Sequence, residues 1–568
     1  MKILGISAYY HDSSAALLID NTVVAAAQEE RFTRIKHDNS FPVNACRFCL
    51  QKAGLELSEI DVVVFYEKPF LKFERILVSQ ISSFPKSLPM FLKSTPIWLK
   101  DKLNMRRLIR KELKSIFGLA PKEIKFVEHH LSHAVLAYCT SGYKKSDILV
   151  VDAVGEWTTT SIMRAEGTSF EIVKEQRFPD SIGMLYSAFT QYLGFKVSSD
   201  EYKVMGLAPY GIERDPQTQN YIRIIETNLL SFKDGFPILN LSYFSFTYGD
   251  SIINRAKWES LFDLRIRKEN DVIVQTHKNL AFAIQKVTED ILFGLISSMK
   301  KESGINNLCL CGGVALNCAA NGALLQQKAY SNMFVPFAPG DCGCSIGAAL
   351  AYAMIFSGNS HYHVSPFLGP EYTHAEIKQT LIDNQLNFVE INDEKELCNH
   401  TAGLIADNKI IGWFQGRMEF GPRALGNRSI LADARNPKMK EMVNSRIKFR
   451  EAFRPFAPSV TADDASIIFN ECQNSPYMMF TYQVNSKVLP AITHVDNSAR
   501  VQTVSFKDNP RYHTLLESFK EITGCPVVLN TSFNIMGEPI VMSPQDAINT
   551  FNNSGLDYLI IGNFIVEK

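Results

Sequence analysis

The chain has 568 residues, too many for one small core, so we expect two domains. Basic and acidic residues both total 59, and this zero formal net charge gives no general support for nucleic-acid binding. No apolar run is long enough to span a bilayer, and the first residues resemble a strand more than the apolar core of a signal peptide. These features predict a cytoplasmic protein.

Strands and turns alternate over the first thirty residues. Apolar stretches at 3–7, 15–19 and 22–27 are separated by a polar turn containing His11 and Asp12 and by a tight turn. Actin-like ATPases and sugar kinases begin this way, with the first loop facing a phosphate or acyl group. His11 and Asp12 could equally bond the backbone of their own turn. The charge run from Glu29 to His37 is also typical of a solvated surface. The sequence that follows predicts a helix over 43–53 and a short apolar strand at 62–65.

Residues 68–125 interleave basic and aromatic side chains, as in Lys68-Pro69-Phe70-Leu71-Lys72-Phe73 and Trp98-Leu99-Lys100. Basic residues then share one helical stretch: Arg106, Arg107, Arg110, Lys111 and Lys114. The segment could lie on a membrane surface or bind an anionic acceptor. A solvated helical cap, whose long side chains cover apolar surface, is the simpler interpretation.

The most informative spacing in the chain is that of His129 and His133. Four residues apart on a helix, two imidazoles lie on one face, one turn apart. Each ring then presents a lone pair that needs a proton or a metal. Such a pair also arises by chance at a polar helix start, so the spacing alone leaves both interpretations open.

Two aspartates in glycine-rich settings favour the metal interpretation. Asp152 ends the apolar strand that begins near Ile148, and Asp341 lies in Pro339-Gly340-Asp341-Cys342-Gly343. Both are places where a fold presents a carboxylate in a cleft. Two histidines and two aspartates would form a mixed nitrogen and oxygen site suited to iron(II), manganese or zinc.

Gly312 and Gly313 follow the apolar strand 308–311 and precede a helix start. Backbone amides there could approach a nucleotide closely. The sequence has neither the P-loop pattern nor the dinucleotide-binding fingerprint, so this glycine pair identifies no standard nucleotide site.

A short polar segment at 357–368 is the best linker in the chain. Beyond it, a predicted strand at 410–414 leads into a glycine- and arginine-rich loop. Six cationic residues then occur close together: Arg417, Arg423, Arg428, Lys448, Arg450 and Arg454. They suggest a pocket for a phosphate-rich ligand, since arginine binds phosphate oxygens in pairs, although surface ion pairs would also explain them.

These segments resemble the NodU/CmcH carbamoyltransferase family nearly end to end. The motifs that carry the resemblance are, in chain order, HDSSAALLID, EERFTRIKH, HHLSHA, VMGLAPYG, CGGVALNC, PGDCGCSIGAA, GRMEFGPRALGNRSI, REAFRPFAPS, ARVQTV and LNTSFNIMGEPIV. The resemblance implies an α/β protein. Residues 1–356 would form an actin-like, sugar-kinase-type domain similar to the universal tRNA threonylcarbamoyl transferase, and residues 369–568 a YrdC-like α/β domain.

The resemblance also implies an ATP-dependent O-carbamoyltransferase that works in two steps. The YrdC-like domain would make carbamoyl-adenylate from carbamoyl phosphate and ATP, with Mg2+ accompanying the ATP. The first domain would then move the carbamoyl group to a hydroxyl of a sugar or natural-product acceptor. Joining the carbamate to AMP supplies a stabilised leaving group, and a metal can polarise the carbonyl.

Site residues carry over motif by motif. The implied ligands of Fe2+, or of another divalent metal, are His129, His133, Asp152 and Asp341. His11 would take the acceptor proton, and Lys36 would bind the anion of the carbamoyl donor. The implied nucleotide and carbamoyl contacts are Lys203, Gly312, Gly313, Asn317, Arg423, Lys448, Arg454, Arg500, Asn530 and Ser532.

Other functions remain open at this point. A tRNA threonylcarbamoyl-adenosine-type modification enzyme uses both domain types, but the neutral charge and the fused arrangement disfavour it. A non-catalytic carbohydrate-binding protein is a second alternative. A metalloprotease is poorly supported, because the His129–His133 motif lacks the glutamate of HExxH. The long basic stretch fits a glycan or lipid-linked acceptor better than an aminoglycoside, and neither the acceptor nor the oligomeric state follows from the sequence.

Overall fold

The computed structural model of the protein describes residues 1–97, 104–359, 361–472, 474–485 and 488–568. The chain forms two compact units, Met1–Ala26 with Asn39–Val364 and Ala27–Asp38 with Ser365–Lys568. The division after Val364 lies inside the segment 357–368. The sequence places Ala27–Asp38, with its short helix α1 (Glu30–Thr33), in the first domain, but the structure groups it with the second unit.

The side chains of Arg31 and Arg34 explain this grouping. Arg31 donates to Gly421 O at 2.9 Å, and Arg34 donates to Ile540 O at 2.7 Å and Pro539 O at 2.8 Å. A guanidinium has five donors in a fixed fork, so a half-buried arginine is best satisfied by several carbonyl oxygens.

The first unit contains two five-stranded sheets with the same organisation. In each, the first strand along the chain is central, antiparallel to the second and parallel to the fourth, in the order third, second, first, fourth, fifth. The strands are β1 (Lys2–Ser7), β2 (Ser14–Ile19), β3 (Thr22–Gln28), β4 (Val62–Phe65) and β5 (Ile124–Phe126) in one sheet, and β6 (Lys145–Val151), β7 (Thr158–Glu166), β8 (Ser169–Arg177), β11 (Asn307–Cys311) and β12 (Asn332–Phe334) in the other; β9 (Leu230–Lys233) and β10 (Phe236–Leu239) form a separate hairpin. The central strands are continuously apolar because both faces of each sheet are covered.

Helices surround these sheets in the first unit. They are α2 (Val43–Ala53), α3 (Pro69–Ser82), α4 (Leu88–Ile97), α5 (Met105–Phe117), α6 (His129–Ser141), α7 (Ile182–Tyr192), α8 (Glu201–Leu207), α9 (Pro216–Ile224), α10 (Arg255–Phe262), α11 (Gln275–Ser303), α12 (Cys318–Gln326) and α13 (Cys344–Ser357). The predicted helix at 43–53 is confirmed with the same bounds, and Ser181 caps α7 by accepting from Met184 N–H, as its polar position before an apolar run predicts.

Helix α13 packs against both β1 and α6, which brings the two sheets of the first unit together. It is apolar almost all round because it is buried on several sides. A Cβ on Gly347 would lie 1.9 Å from Ser132 O of α6, so only glycine permits this approach. On the other side, Ser14 Oγ donates to Ser345 Oγ at 2.8 Å.

The second unit is built on one eight-stranded mixed sheet. Its strands, in spatial order, are β13 (Val389–Glu390), β22 (Phe564–Glu567), β21 (Tyr558–Ile561), β14 (Ile411–Phe414), β15 (Arg428–Asp433), β20 (Val527–Ser532), β16 (Ala457–Thr461) and β19 (Gln502–Val504), and β17 (Thr481–Gln483) pairs with β18 (Ser498–Arg500). The helices are α14 (His374–Asp383), α15 (Glu394–Ala406), α16 (Met439–Val443), α17 (Ala465–Ile468), α18 (Pro510–Thr523) and α19 (Pro544–Asn552). The mixed sheets confirm the α/β class.

The basic stretch 68–125 forms α3, α4 and α5, although Trp98, Leu99 and Lys100 lie outside the described residues. Within the described part of the chain, no helix combines the length and hydropathy needed to cross a membrane. All eleven cysteines are free thiols and all but Cys139 are buried, in keeping with a structural role.

Candidate functional site

The first turn of α6 presents the histidine pair. The side chains of His129 and His133 lie on one face of the helix and their Nε2 atoms are 3.1 Å apart. The helix start is held by Glu156, whose carboxylate accepts from His129 N–H at 3.0 Å and from Lys68 N–H at 2.8 Å. A carboxylate at a helix N-terminus accepts hydrogen bonds from the free amides there and interacts favourably with the helix dipole.

Two aspartates from different elements complete the cluster. Asp152 directly follows β6, and its Oδ2 lies 2.9 Å from His129 Nε2 and 3.4 Å from His133 Nε2. Asp341 lies in the turn before α13, and its Oδ1 is 3.7 Å from His129 Nε2 and 3.6 Å from His133 Nε2. We call His129, His133, Asp152 and Asp341 the four-residue cluster; all four side chains are buried.

The geometry of the four-residue cluster fits a divalent cation. Ligand atoms bound to one ion at about 2.1 Å lie roughly 3.0–3.4 Å apart, close to the separations seen here. Two imidazole nitrogens and two carboxylate oxygens converge on one buried point, where their lone pairs repel unless a cation or protons separate them. In the described chain Asp341 Oδ2 has no hydrogen-bond partner. The donor set is one that iron(II), manganese and zinc accept.

Charge interactions within the cluster are strong. Burial alone would raise the pKa of Asp152, but hydrogen bonds from His129 and His133 hold that pKa well below its usual range. Burial would likewise raise the pKa of Asp341, and the charge of His11 is the main influence that lowers it. Both carboxyl groups are therefore ionised at neutral pH, as metal ligands must be.

His11 lies at the edge of the four-residue cluster. Its Nε2 is 3.8 Å from Asp341 Oδ2, its Nδ1 is 2.9 Å from Asp12 Oδ2, and the side chain is 26% exposed. Burial lowers the pKa of His11, but the Asp341 and Asp12 carboxylates outweigh burial and raise it to about 9. The structure thus brings His11 beside the buried cluster and leaves the imidazole accessible.

The glycine pair lies against the same cluster. Gly312 has φ +87°, and a Cβ there would be 2.3 Å from Val151 O, while a Cβ on Gly313 would be 3.0 Å from Asp152 Oδ1. Asn317 caps α12 and donates to Gln285 Oε1 at 2.9 Å. The structure therefore places Gly312 and Gly313, which follow β11, beside the end of the neighbouring strand β6 and next to a candidate metal ligand.

Lys203 lies on α8 and forms an ion pair with Asp200 at 3.1 Å. Met205 of the same helix contacts Cys318 at the start of α12, with the two sulfur atoms 3.7 Å apart. The helices that carry Lys203 and Asn317 are thus neighbours.

A second group of predicted residues gathers in the second unit around Lys448. The buried Lys448 ammonium donates to Asn534 Oδ1 at 2.7 Å, to Asn534 O at 2.9 Å and to Ser532 O at the end of β20. Burial lowers the pKa of Lys448 well below its usual range, and the charges of Arg450, Arg454 and Lys36 lower it further. These four cations form the basic cluster, and Lys36 joins it from the segment Ala27–Asp38.

The remaining predicted residues of the second unit lie in different surroundings. Asn530 is buried, and its Nδ2 donates to Gln502 Oε1 at 2.9 Å and Ser459 Oγ at 3.0 Å. Arg454 lies 3.6 Å from Glu451. Arg423 is half-buried in the loop before β15. Arg500 ends β18, and its buried Nε has no hydrogen-bond partner among the described residues.

Two of the six cationic residues have a structural role. The fully buried Arg428 donates to the carbonyl oxygens of Asn427, Gly416 and Pro370, and Arg417 donates to Leu368 O at 2.7 Å. The terminal nitrogens of Arg428 are used by backbone carbonyl oxygens, so its burial is explained without a phosphate, and the phosphate pocket stays a prediction for the other cationic residues.

Sequence reasoning missed two buried glutamates that position these sites. Glu156 holds the start of α6, and Glu419 accepts from Leu425 N–H at 2.6 Å and Arg428 N–H at 3.2 Å, which shapes the loop that carries Arg423. An acidic residue within two positions of a glycine, in Gly155-Glu156 and in Glu419-Phe420-Gly421, was the available signal.

Comparison with known proteins identifies the family. The family model Carbamoyltransferase N-terminus matches residues 2–350, and Carbamoyltransferase C-terminus matches residues 402–568. The chain belongs to the carbamoyltransferase family and is an enzyme, which confirms the family indicated by the motifs.

Several relatives match this chain, two of them along almost its whole length. An uncharacterised protein of Synechocystis sp. is 43% identical over 100% of this chain and 96% of its own length. Nodulation protein NolNO of Sinorhizobium fredii is 37% identical over 99% of this chain and 80% of its own. The 3'-hydroxymethylcephem-O-carbamoyltransferase of Amycolatopsis lactamdurans is 34% identical over 45% of this chain and 48% of its own.

Proposed function

We propose that the protein is an ATP-dependent O-carbamoyltransferase. It would form carbamoyl-adenylate from carbamoyl phosphate, ATP and water, with release of phosphate and pyrophosphate. It would then transfer the carbamoyl group to a hydroxyl of a sugar or natural-product acceptor, with release of AMP. The observation that carries this proposal is the convergence of the four-residue cluster beside the accessible His11. The O-carbamoyltransferase among the relatives supports the reaction class.

In the proposed transfer step, the four-residue cluster would hold a divalent metal, for which we favour Fe2+. Such an ion would polarise the carbamoyl carbonyl and, by opposing the nearby carboxylates, favour the neutral imidazole of His11. His11 would then accept the proton of the attacking hydroxyl, and the Asp12 and Asp341 carboxylates would stabilise the imidazolium that results. Its partial exposure allows the acceptor hydroxyl to approach from solvent.

In the proposed adenylation step, the basic cluster would bind phosphate groups of ATP and carbamoyl phosphate. The charges near Lys448 that lower its pKa are those of three cations, Arg450, Arg454 and Lys36. A bound phosphate would add a negative charge there and raise the pKa of the Lys448 ammonium. Arg423 and Arg500 would add bidentate contacts. Ser532, whose hydroxyl lies 3.3 Å from Lys448 Nζ, would face the carbamoyl or phosphate group.

The domain types implied by the resemblance remain part of the proposal. The duplicated five-stranded sheets of the first unit support an actin-like, sugar-kinase-type fold, in which two similar sheets pack about shared helices. The mixed sheet of the second unit is compatible with a YrdC-like domain over 369–568.

The decisive experiment is incubation with ATP and carbamoyl phosphate in the absence of any acceptor, followed by mass spectrometry for carbamoyl-AMP. Detection of carbamoyl-AMP together with pyrophosphate would support the adenylation step, and hydroxylated sugars and natural products would then be screened as acceptors. If metal-replete enzyme forms no carbamoyl-AMP with or without acceptors, yet transfers the carbamoyl group, the adenylate route is refuted.

A further inference from the structure

A series of large apolar side chains is exposed along α3, the following turn and α4. Phe70, Val78 and Ile81 recur at helical spacing and share one face of α3. Phe70 is 73% exposed and Ile81 is 63% exposed, as are Phe84 in the turn at 68% and Leu92 on α4 at 64%. The term apolar surface refers below to six exposed residues: Phe70, Val78, Ile81, Phe84, Leu88 and Leu92.

Two polar side chains already anchor α3. The buried Arg75 donates to Gly155 O at 2.9 Å, and Glu74, which lies one helical turn after Phe70 on the same face, accepts from Trp157 Nε1 at 3.2 Å. The helices α3 and α4 also contact each other. Single exposed apolar residues are common on proteins, but a succession of large ones on two adjoining helices marks an interaction surface.

The charged residues around the apolar surface are positive apart from Glu74, whose carboxylate is used by Trp157. No acidic residue occurs in the sequence between Glu74 and Asp101, whereas Lys86 and Lys93 are exposed in that interval. Lys93 lies 3.8 Å from Asp250, and both side chains are largely exposed. An exposed ion pair of this kind contributes little, so the lysine stays available to an anionic partner.

Helix α5 adds a second source of positive charge. Met105, Ile109 and Leu113 form its buried stripe. The exposed face carries only cations among its charged residues: Arg106, Arg107, Arg110, Lys111 and Lys114. A solvated cap would usually mix both signs of charge, so this face favours an anionic surface as its partner.

We propose that the apolar surface of α3 and α4 docks onto an anionic lipid bilayer, to which the cationic face of α5 is attracted. Large apolar side chains that enter the headgroup region, flanked by lysine and arginine, are the combination that holds a protein at a membrane interface. Contact would be peripheral, since the described helices include none suited to crossing a membrane. This inference is independent of the proposed chemistry of carbamoyl transfer.

The test is co-sedimentation of the full chain with vesicles of phosphatidylcholine, with and without about one third phosphatidylglycerol. The native chain should bind the anionic vesicles and release them as salt rises. A triple variant of the apolar surface, Phe70→Ser, Ile81→Ser and Leu92→Ser, should bind at least about tenfold more weakly. The matched control replaces three other exposed apolar residues of the same unit, Ile172→Ser, Phe232→Ser and Val272→Ser, and should bind like the native chain.

A charge variant tests the second part of the proposal. Arg107→Gln, Arg110→Gln and Lys114→Gln should weaken binding to anionic vesicles and flatten its salt dependence. The proposal is overturned if the native chain does not bind these vesicles, or if either triple variant binds as well as the native chain. It is also overturned if the apolar variant instead converts a dimer into a monomer by light scattering, because the surface would then be covered by a second copy.

Discussion

At the scale of single residues, His11 separates transfer from adenylation. The His11 imidazole lies 3.8 Å from the candidate metal ligand Asp341. His11 belongs to the first unit, whereas the whole basic cluster belongs to the second. His11→Ala should slow carbamoyl transfer by about 100-fold or more while leaving carbamoyl-AMP formation unchanged. Product and adenylate can be quantified in one assay by mass spectrometry. His361→Ala, an exposed histidine of the same unit, is the control, and unimpaired transfer by His11→Ala would remove the base role.

A change at Lys448 should affect adenylation, the step that a change at His11 leaves intact. Its buried ammonium is surrounded by cations and needs an anion to complement it. Lys448→Met keeps an unbranched side chain of similar length but loses the charge, and should reduce carbamoyl-AMP formation by about 100-fold or more. The measurement is pyrophosphate release without acceptor. Lys438→Met, at an exposed lysine before α16, should retain full activity, and equal rates for the two variants would exclude the basic cluster from adenylation.

At the scale of elements, the close approach of α13 to α6 positions the histidine pair. Gly347→Ala would place a methyl group 1.9 Å from Ser132 O, which forces α6 away from α13. We expect a loss of about 2 kcal/mol in stability and a lower metal content per chain. Calorimetry and elemental analysis measure the two effects. Gly403→Ala on α15 has open space around it and should leave both unchanged, so similar behaviour of the two variants would contradict this explanation.

The start of the long helix α11 should be sensitive to acid. His277 Nδ1 accepts from Val274 N–H at 3.1 Å, and burial, with the charge of Arg267, lowers the His277 pKa. The unfolded chain therefore binds this proton more readily. The contribution of His277 to stability is complete above about pH 6.5 and decreases as the pH falls toward the folded-state pKa.

His277→Gln tests this pH dependence, because glutamine keeps an acceptor but does not titrate. Between about pH 7.5 and about pH 5.5, the variant should lose less stability than the native chain, by up to about 1 kcal/mol. Thermal unfolding at both pH values provides the comparison. The exposed His400→Gln should behave like the native chain. An identical acid response of His277→Gln and the native chain would show that the N-terminus of α11 does not titrate.

At the scale of the whole molecule, the two units should respond differently to metal removal. Enzyme that has been stripped of its bound metal with a chelator, then freed of the chelator and assayed with Mg2+ present, should not transfer the carbamoyl group but should accumulate carbamoyl-AMP. The reason is that the four-residue cluster belongs to the first unit and the basic cluster to the second. Asp341→Asn should reproduce the effect and bind less metal, because the amide lacks the negative charge of a ligand. Transfer at the native rate by chelated enzyme would refute a metal at this site.

Much of the candidate site follows from local sequence alone. The separation of His129 and His133 by one helical turn and the position of Asp152 after an apolar strand depend only on helix and strand geometry, and both occur as expected. The predicted strands at 62–65 and 410–414 and the helix at 43–53 likewise reflect hydrophobic periodicity. The ordered motifs identified the family, because a match of residue types at fixed positions requires no knowledge of the fold.

The tertiary structure decided which distant groups meet. The segment Ala27–Asp38 joins the second unit because Arg31 and Arg34 find carbonyl acceptors hundreds of residues away, a pairing that no local period encodes. The same holds for Arg428, which the sequence could not distinguish from a phosphate ligand, and for Glu156, whose partner amides lie in other elements. Sequence alone determined the family and several of the strands and helices, and it predicted a chemical type for each site, since these depend on residue identity and short-range spacing. Only the fold decided which charges are buried, paired or available, because long-range packing and desolvation set those properties.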